Sequence, residues 1–262
     1  SRTTDRNHVL LTSFSWESSH VFNILDDGYK LLYKKEKDLF YSVDTYGDTW
    51  YIMYTKSNES KIVYTTDYKN FSTLLPNKDN LEYNDMFIKS HYLCCVYKEN
   101  GFNHLLSVDL LSNKIKHYRF DKIGTSFTVP FLSNLDTCSP KIIVNLYTNL
   151  QPKKTIELNC SINKINVIKI NKIKGYDDSK YKEKILHVNK KLCITMLYRK
   201  DKYKKNMNCL LNGYGAYGTD DEPHFDSKAI SLLDRGFIFC TAHVRGGGFH
   251  GNQWHKDGKL LK

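Results

Sequence analysis

Two short glycine-rich motifs near the end of the chain carry the residue types that are most informative about its chemistry. The first is GYGAYG at residues 213–218, and the second is RGGG at residues 245–248. Glycine adopts backbone conformations that are costly for residues with a Cβ atom. Each motif follows a β-like run, so both predict sharp turns at strand ends, where enzymes commonly build catalytic loops.

A dinucleotide-binding loop is the first alternative, because both motifs satisfy the spacing G-x-G-x-x-G, the second with Gly251 as its last glycine. Such a loop opens a helix whose N-terminus faces phosphate. The first motif leads instead into TDDEP at residues 219–223, whose three carboxylates would repel phosphate. The second does not enter a clear apolar helix. A nucleotide site is therefore disfavoured, and no cofactor is expected.

The residues around the motifs predict a strand, a helix and a second strand. A β-like run at residues 207–211 enters the first motif. Asp226 or Ser227 can cap a helix with an apolar face, and Gly236 occupies the position that follows a helix C-terminus. Residues 237–244 then have the composition of a buried strand. One glycine motif thus follows each predicted strand.

Four segments of this region resemble the prolyl oligopeptidase family of serine peptidases. They are residues 212–218, 231–237, 243–248 and 253–260. Within that family, the strings LLDRGF and AHVRGGG resemble the branch called oligopeptidase B, which cleaves after basic residues. The resemblance implies a partial β-propeller followed by the start of an α/β-hydrolase domain.

The upstream sequence supports a propeller independently of the resemblance. Four runs of strand-forming residues recur, at 21–26, 61–67, 104–109 and 155–159; three end in Asp and the fourth in Asn. Their ends are about 41, 42 and 50 residues apart, which suits a four-stranded blade. A β-sandwich, in which hairpins also recur, stays open. We predict three to four blades in residues 1–172, then in 173–262 a crossing segment and the N-terminal part of the catalytic domain.

The chain has no G-x-S-x-G nucleophile motif. By resemblance, the catalytic Ser, Asp and His follow Lys262, so the chain is expected to be an internal fragment that is inactive alone. In the family, the tyrosine of the first motif gives its hydroxyl to the oxyanion hole, and Tyr214 matches it. A phenol remains a proton donor at neutral pH and can be aimed at charge on the carbonyl oxygen. The alternative is that Tyr214 only packs at a strand end.

Two further positions concern specificity. In the oligopeptidase B branch, two acidic residues in the loop after the first motif select basic side chains, and an ungapped alignment places them on Glu222 and His224. Only Glu222 keeps a carboxylate, so a preference for paired basic residues is in doubt unless Asp220 or Asp221 compensates. The alternative is a solvated acidic loop with no substrate role. Phe249 stands where the family usually has Glu, which predicts a repacked loop or a divergent enzyme.

Composition limits the other function classes. The net charge is +11, but the lysines are dispersed and the densest run, 199–205, reads as a solvated loop, so neither nucleic acid nor a membrane surface is an expected partner. The seven cysteines are an odd number without a C-x-x-C pair, which indicates reduced thiols and a cytoplasmic protein. No zinc-type spacing is present, so no metal is expected.

Two hypotheses result. The favoured one is a serine oligopeptidase that hydrolyses short peptides after Arg or Lys, with prolyl specificity as a variant. The other is a catalytically inactive protein that keeps the propeller and hydrolase scaffold as a binding surface. The sequence does not indicate the oligomeric state.

Overall fold

The computed structural model describes residues 1–15, 17–57, 59–118, 120, 125–189 and 192–260. Within these ranges the strands form five β-sheets. In four of them every strand pairs antiparallel with the next one along the chain. All four precede residue 172, and we refer to them as blades 1 to 4.

The blades have the following strands. Blade 1 comprises β1 (Val9–Phe14), β2 (Ser19–Leu25) and β3 (Gly28–Leu31). Blade 2 comprises β4 (Leu39–Tyr46), β5 (Thr49–Lys56), β6 (Glu59–Thr65) and β7 (Ser72–Leu75). Blade 3 comprises β8 (Leu81–Lys89), β9 (Tyr92–Glu99), β10 (Phe102–Asp109) and β11 (Lys114–Tyr118). Blade 4 comprises β12 (Thr125–Thr128), β13 (Lys141–Thr148), β14 (Lys154–Asn159) and β15 (Lys164–Ile170).

Apolar clusters between consecutive blades distinguish a propeller from a two-sheet sandwich. One cluster joins blades 1 and 2 and includes Val21 and Ile52. A second joins blades 2 and 3 and includes Ile62 and Leu93. A third joins blades 3 and 4 and includes Leu105 and Ile156. Each blade therefore packs on the next in sequence order, which is propeller packing.

The predicted repeat corresponds to one structural position. The four runs fall on β2, β6, β10 and β14, and each of these is the next-to-last strand of its blade. The described residues before 172 thus form four such sheets, and the predicted number of blades and their boundary stay predictions.

The fifth sheet contains the predicted strand, helix and strand. Its strands are β16 (Tyr181–His187), β17 (Cys193–Arg199), β18 (Cys209–Asn212) and β19 (Ile238–Ala242), in the order β16-β17-β19-β18. The α1 helix (Ser227–Asp234) connects β18 to β19, and these two strands are parallel. A parallel pair joined by a helix is the building unit of an α/β sheet.

Local signals set the ends of α1. The Asp226 carboxylate accepts a hydrogen bond of 2.8 Å from the backbone N–H of Lys228, which caps the first turn. Gly236 has φ +84°, the left-handed conformation expected after a helix. Ile230 and Leu233 are buried on the helix face that packs against Leu197 of β17. Both predicted helix signals are therefore confirmed.

A second, short helix, α2 (Asn252–Lys256), follows the RGGG motif. Short 3₁₀ turns occur at Phe131–Asn134, Asp178–Lys180 and Lys200–Lys202. The domain boundary predicted after residue 172 falls in the connection between β15 and β16 and stays a prediction. In the described ranges, no helix has the length and apolar character needed to cross a membrane.

Candidate functional site

The two glycine motifs lie side by side and pair through their main chains. The N–H of Gly218 donates to the carbonyl oxygen of Gly246 at 2.9 Å, and the N–H of Gly248 donates to the carbonyl oxygen of Thr219 at 3.2 Å. The first motif follows the carboxyl end of β18, and the second follows that of the adjacent strand β19. In α/β sheets, ligands bind outside the carboxyl ends of the strands.

The close approach of the two loops explains why glycine occupies these positions. A Cβ atom on Gly247 would lie 2.9 Å from the carbonyl oxygen of Thr219. A Cβ atom on Gly246 would overlap the carbonyl oxygen of Gly215, and Gly246 also has φ +88°. The sequence predicted turns from these glycines, whereas the structure shows that contact between the loops also excludes side chains.

The α2 helix holds the RGGG loop from the other side. Gly246 donates its N–H to the carbonyl oxygen of Trp254 at 3.1 Å. Nδ1 of His255 lies 2.8 Å from the carbonyl oxygen of Gly246, so this nitrogen is the donor. The indole N–H of Trp254 donates to the carbonyl oxygen of His243 at 3.3 Å. This segment therefore belongs to the same loop assembly as the glycine motifs.

Tyr214 projects from the first motif into solvent. Its exposed fraction is 57%, and that of Tyr217 is 74%. Neither tyrosine is buried against the described residues. Within the described residues, the Tyr214 hydroxyl has no hydrogen-bond partner. Its assignment to the oxyanion hole stays a prediction.

The loop after the first motif is fastened to the propeller. Oε1 of Glu222 accepts a hydrogen bond of 3.1 Å from Nδ2 of Asn103, next to the start of β10. Ser126 of β12 donates to the carbonyl oxygen of Pro223 at 2.8 Å. His224 is exposed, and its Nδ1 lies 3.0 Å from the carbonyl oxygen of Glu222. The substrate roles predicted for Glu222 and His224 stay predictions.

Asp220 is already engaged by a buried cation. Its Oδ2 accepts a hydrogen bond of 2.7 Å from Nζ of Lys98 in β9. The Lys98 side chain is almost completely enclosed, with 8% of the residue exposed. Of the two carboxylates that could replace the missing acidic partner of Glu222, that of Asp220 is therefore occupied, whereas Asp221 stays a candidate. No sequence pattern drew attention to Lys98, which stands at the end of an apolar strand.

Phe249 is buried in the seam between blade 3 and the fifth sheet. Its exposed fraction is 4%, and its ring packs edge-on against Phe102 with the centroids 5.7 Å apart. A Cβ atom on Gly101 would overlap the Phe249 ring, so glycine at this turn makes room for it. An aromatic side chain therefore fills the position at which the resemblance leads one to expect Glu.

His243 lies under Phe249 in an enclosed environment. Its Nε2 is 2.8 Å from Oγ1 of Thr195. Its Nδ1 is buried, has no hydrogen-bond partner among the described residues, and lies 3.9 Å from Oδ1 of Asp220. Burial lowers the pKa of His243, although the neighbouring carboxylates oppose the shift. The neutral imidazole is thus the form that fits this site.

A cavity of about 760 Å³ is lined by these loops and by strands of blades 1 to 3. Its lining includes Glu82, Asp85 and Lys98 from blade 3, and Asp220 and Glu222 from the loop. Burial raises the pKa of Glu82, and also that of Asp85, whose carboxylate water can still reach. Four carboxylates against one lysine give the wall an acidic character, although the whole chain is basic.

In the described part of the chain, no group of three or more His, Cys, Asp or Glu side chains is placed to bind a metal ion. All seven cysteines are free thiols.

A family model described as the prolyl oligopeptidase family matches residues 223–262, which include α1, β19 and the RGGG loop. This end of the chain is therefore similar to the prolyl oligopeptidase family. Two curated relatives match most of the chain. Dipeptidyl aminopeptidase BI of Pseudoxanthomonas mexicana is 26% identical over 246 residues, and Protease 2 of Moraxella lacunata is 25% identical over 243 residues. Both matches cover 88% of this chain, but the chain spans only 33% and 34% of those proteins.

Solved structures of family members show the same fold. Oligopeptidase B from Trypanosoma brucei, in a closed form with covalently bound antipain, superimposes with a TM-score of 0.87 at 24% identity. The match covers 99% of this chain and 40% of that one. Oligopeptidase B from Leishmania major gives 0.85 at 20% identity, covering 98% and 39%. The predicted partial propeller followed by the start of an α/β-hydrolase domain is therefore confirmed.

Proposed function

We propose that the whole protein is a serine oligopeptidase that hydrolyses short peptides after Arg or Lys. The observation that carries this proposal is the pairing of the two glycine loops at the carboxyl ends of β18 and β19, with Tyr214 of the first loop exposed. This geometry suits an oxyanion donor that must reach a bound carbonyl group. The relatives named above, a protease, an aminopeptidase and an oligopeptidase B, support the reaction class.

In the proposed reaction, a serine attacks the peptide carbonyl, with an Asp-supported His as its base. These three residues are proposed to follow Lys262 in the whole protein. Tyr214 donates its hydroxyl proton in a hydrogen bond to the oxygen on which negative charge develops. The His then gives the proton it took from the serine to the leaving amine as the peptide C–N bond breaks, and water hydrolyses the acyl-enzyme that remains.

The acidic cavity supports a basic substrate rather than a prolyl one. A cationic side chain entering it would meet the carboxylates of Glu222, Asp85 and Glu82, and charge complementarity favours such a ligand over a neutral one. The propeller is proposed to restrict access, so that short peptides enter and folded proteins do not. We further propose a cytoplasmic location, in keeping with seven free thiols.

The proposal is tested with the whole protein and a fluorophosphonate probe, which labels activated serines. We expect labelling, and hydrolysis of fluorogenic Arg or Lys peptides at a higher kcat/KM than of Pro peptides. The 262-residue chain alone should be neither labelled nor active. A whole protein that resists the probe and cleaves no peptide would instead favour the non-catalytic scaffold, whereas faster Pro cleavage would favour prolyl specificity.

A further inference from the structure

We infer that Lys98 of the propeller is a positioning residue that holds the two glycine loops in the geometry in which Tyr214 acts. This inference rests on the proposed function, because positioning is measured through catalysis. Lys98 is not placed to touch the substrate carbonyl in this role. It acts through the loops to which it is bound.

Lys98 binds both loops with one ammonium group. Its Nζ donates to Oδ2 of Asp220 at 2.7 Å and to the carbonyl oxygen of Gly248 at 3.3 Å. Asp220 follows the first glycine motif by two residues, and Gly248 ends the second. The two acceptors lie 122 and 150 residues away from Lys98 in sequence. A single cation from the propeller therefore bridges the loop that contains Tyr214 and the RGGG loop.

The strand beside Lys98 makes a second attachment. Glu82 of β8 pairs in register with Lys98 of β9. The Glu82 carboxylate accepts a hydrogen bond of 2.9 Å from the N–H of Asn252, the first residue of α2. A Cβ atom on Gly251 would overlap this carboxylate. Because α2 is hydrogen-bonded to Gly246, blade 3 binds the loop assembly through two neighbouring residues, Lys98 and Glu82.

The buried ion pair between Lys98 and Asp220 should fix the positions of the loops. Lys98 and Asp220 are both largely buried, so removing either partner leaves an uncompensated charge in a poorly solvated place. Charge-assisted hydrogen bonds are also short and directional. Misplacing a catalytic group by about 1 Å can cost about 100-fold in rate. Loss of this bridge should therefore reduce turnover more than substrate binding.

The test uses the whole protein with Lys98→Met, and kcat is expressed per active site titrated with the fluorophosphonate probe. Titration counts only folded, competent sites, so a general loss of folding does not change the result. We expect kcat to fall by about 10- to 100-fold with KM changed by less than about threefold. Lys78→Met is the matched control, because Lys78 precedes β8 and pairs with Glu99 at the surface. It should keep kcat within about twofold.

Two further variants test the mechanism. Asp220→Asn should reproduce most of the loss, and the Lys98→Met and Asp220→Asn double variant should lose little more than either single one, since both break one interaction. Lys98→Arg should recover part of kcat because it restores the cation with different geometry. If Lys98→Met does not fold, Asp220→Asn and Lys98→Arg decide by the same measurement.

The possible failures are distinguishable. A wild-type protein that the probe does not label overturns the proposed function, and the inference with it. A labelled wild type whose Lys98→Met variant keeps its kcat per titrated site overturns the inference alone. Additive losses in the double variant would also overturn it, because independent effects are then at work.

Discussion

The rings of Phe249 and His243 are stacked face to face, with their centroids 4.0 Å apart and their planes 19° apart. Phe249 also contacts Phe102 of blade 3, whose ring packs edge-on against it. Phe249, the residue after the RGGG motif, therefore makes an apolar contact with the propeller. Polar contact is added a short distance away by Lys98 and Asp220.

This packing predicts that replacing Phe249 by Glu destabilises the fold. Phe249→Glu should lower the free energy of unfolding by about 3–5 kcal/mol, because it buries an unpaired carboxylate and removes the aromatic contacts. Phe249→Leu should cost less, about 1–2 kcal/mol. Urea unfolding measures both. The same Phe-to-Glu change at exposed Phe14 is the control, expected within about 0.5 kcal/mol. Equal effects at the two positions would contradict the packing described for Phe249.

Tyr214→Phe should lower kcat by about 100-fold with little change in KM, because a donor that acts on the developing oxyanion stabilises the transition state and not the bound substrate. Steady-state kinetics on the whole protein measure this. Tyr217→Phe is the matched control in the same motif and should keep its kcat. A normal kcat for Tyr214→Phe would remove this hydroxyl from the mechanism.

Glu222→Gln should raise KM for Arg and Lys peptides by about fivefold and leave Pro peptides unaffected, because the side chain is exposed and a solvated ion pair contributes about 1 kcal/mol. The amide oxygen of Gln can still accept from Asn103, so the loop should keep its shape. His224→Glu should lower KM for substrates with two adjacent basic residues by restoring a second carboxylate. Unchanged KM values in both variants would place substrate binding elsewhere.

The buried His243 makes stability depend on pH. Burial lowers its pKa in the folded state, so near pH 6.5 and below, the unfolded chain binds a proton that the folded chain does not. Stability should therefore fall as the pH drops through about 6.5 towards the lower folded pKa. His243→Gln removes this contribution, and its melting temperature should fall less between pH 7.5 and pH 5.5 than that of the wild type. Parallel curves for the two proteins would show that the imidazole does not titrate in this way.

The cysteines differ in accessibility in a way that a thiol reagent can measure. Cys138 and Cys209 are exposed, whereas the other five are buried, and burial raises the pKa of Cys94 and Cys95 well above its ordinary value. A disulfide reagent should therefore modify two thiols of the folded 262-residue chain quickly, and all seven in denaturant. Cys138→Ser and Cys209→Ser should each remove one fast thiol. Rapid reaction of more than two would mean that a blade or the fifth sheet opens.

Features that depend on a few neighbouring residues were predictable. The strand runs of the four blades, the helix between Asp226 and Gly236, and the turns at the glycine motifs follow from β-propensity, capping and backbone freedom, which act locally. The predicted bounds of the strand before the first glycine motif were slightly wrong, since β18 runs from Cys209 to Asn212 and not over 207–211. Strand ends depend on pairing with β19, which the local pattern does not encode.

The sequence by itself therefore determined the family resemblance, the succession of elements and the position of Tyr214 after a strand. Only the tertiary structure decided which residues of the loops are engaged. Asp220 and Glu222 are both acidic and two positions apart, yet Lys98 reaches only the first of them. Glu82 accepts a hydrogen bond from the N–H of Asn252, which lies 170 residues away in sequence. The physical reason is that these contacts arise where blade 3 packs against the fifth-sheet loops, and the energy of a buried charge depends on the neighbours that this packing supplies.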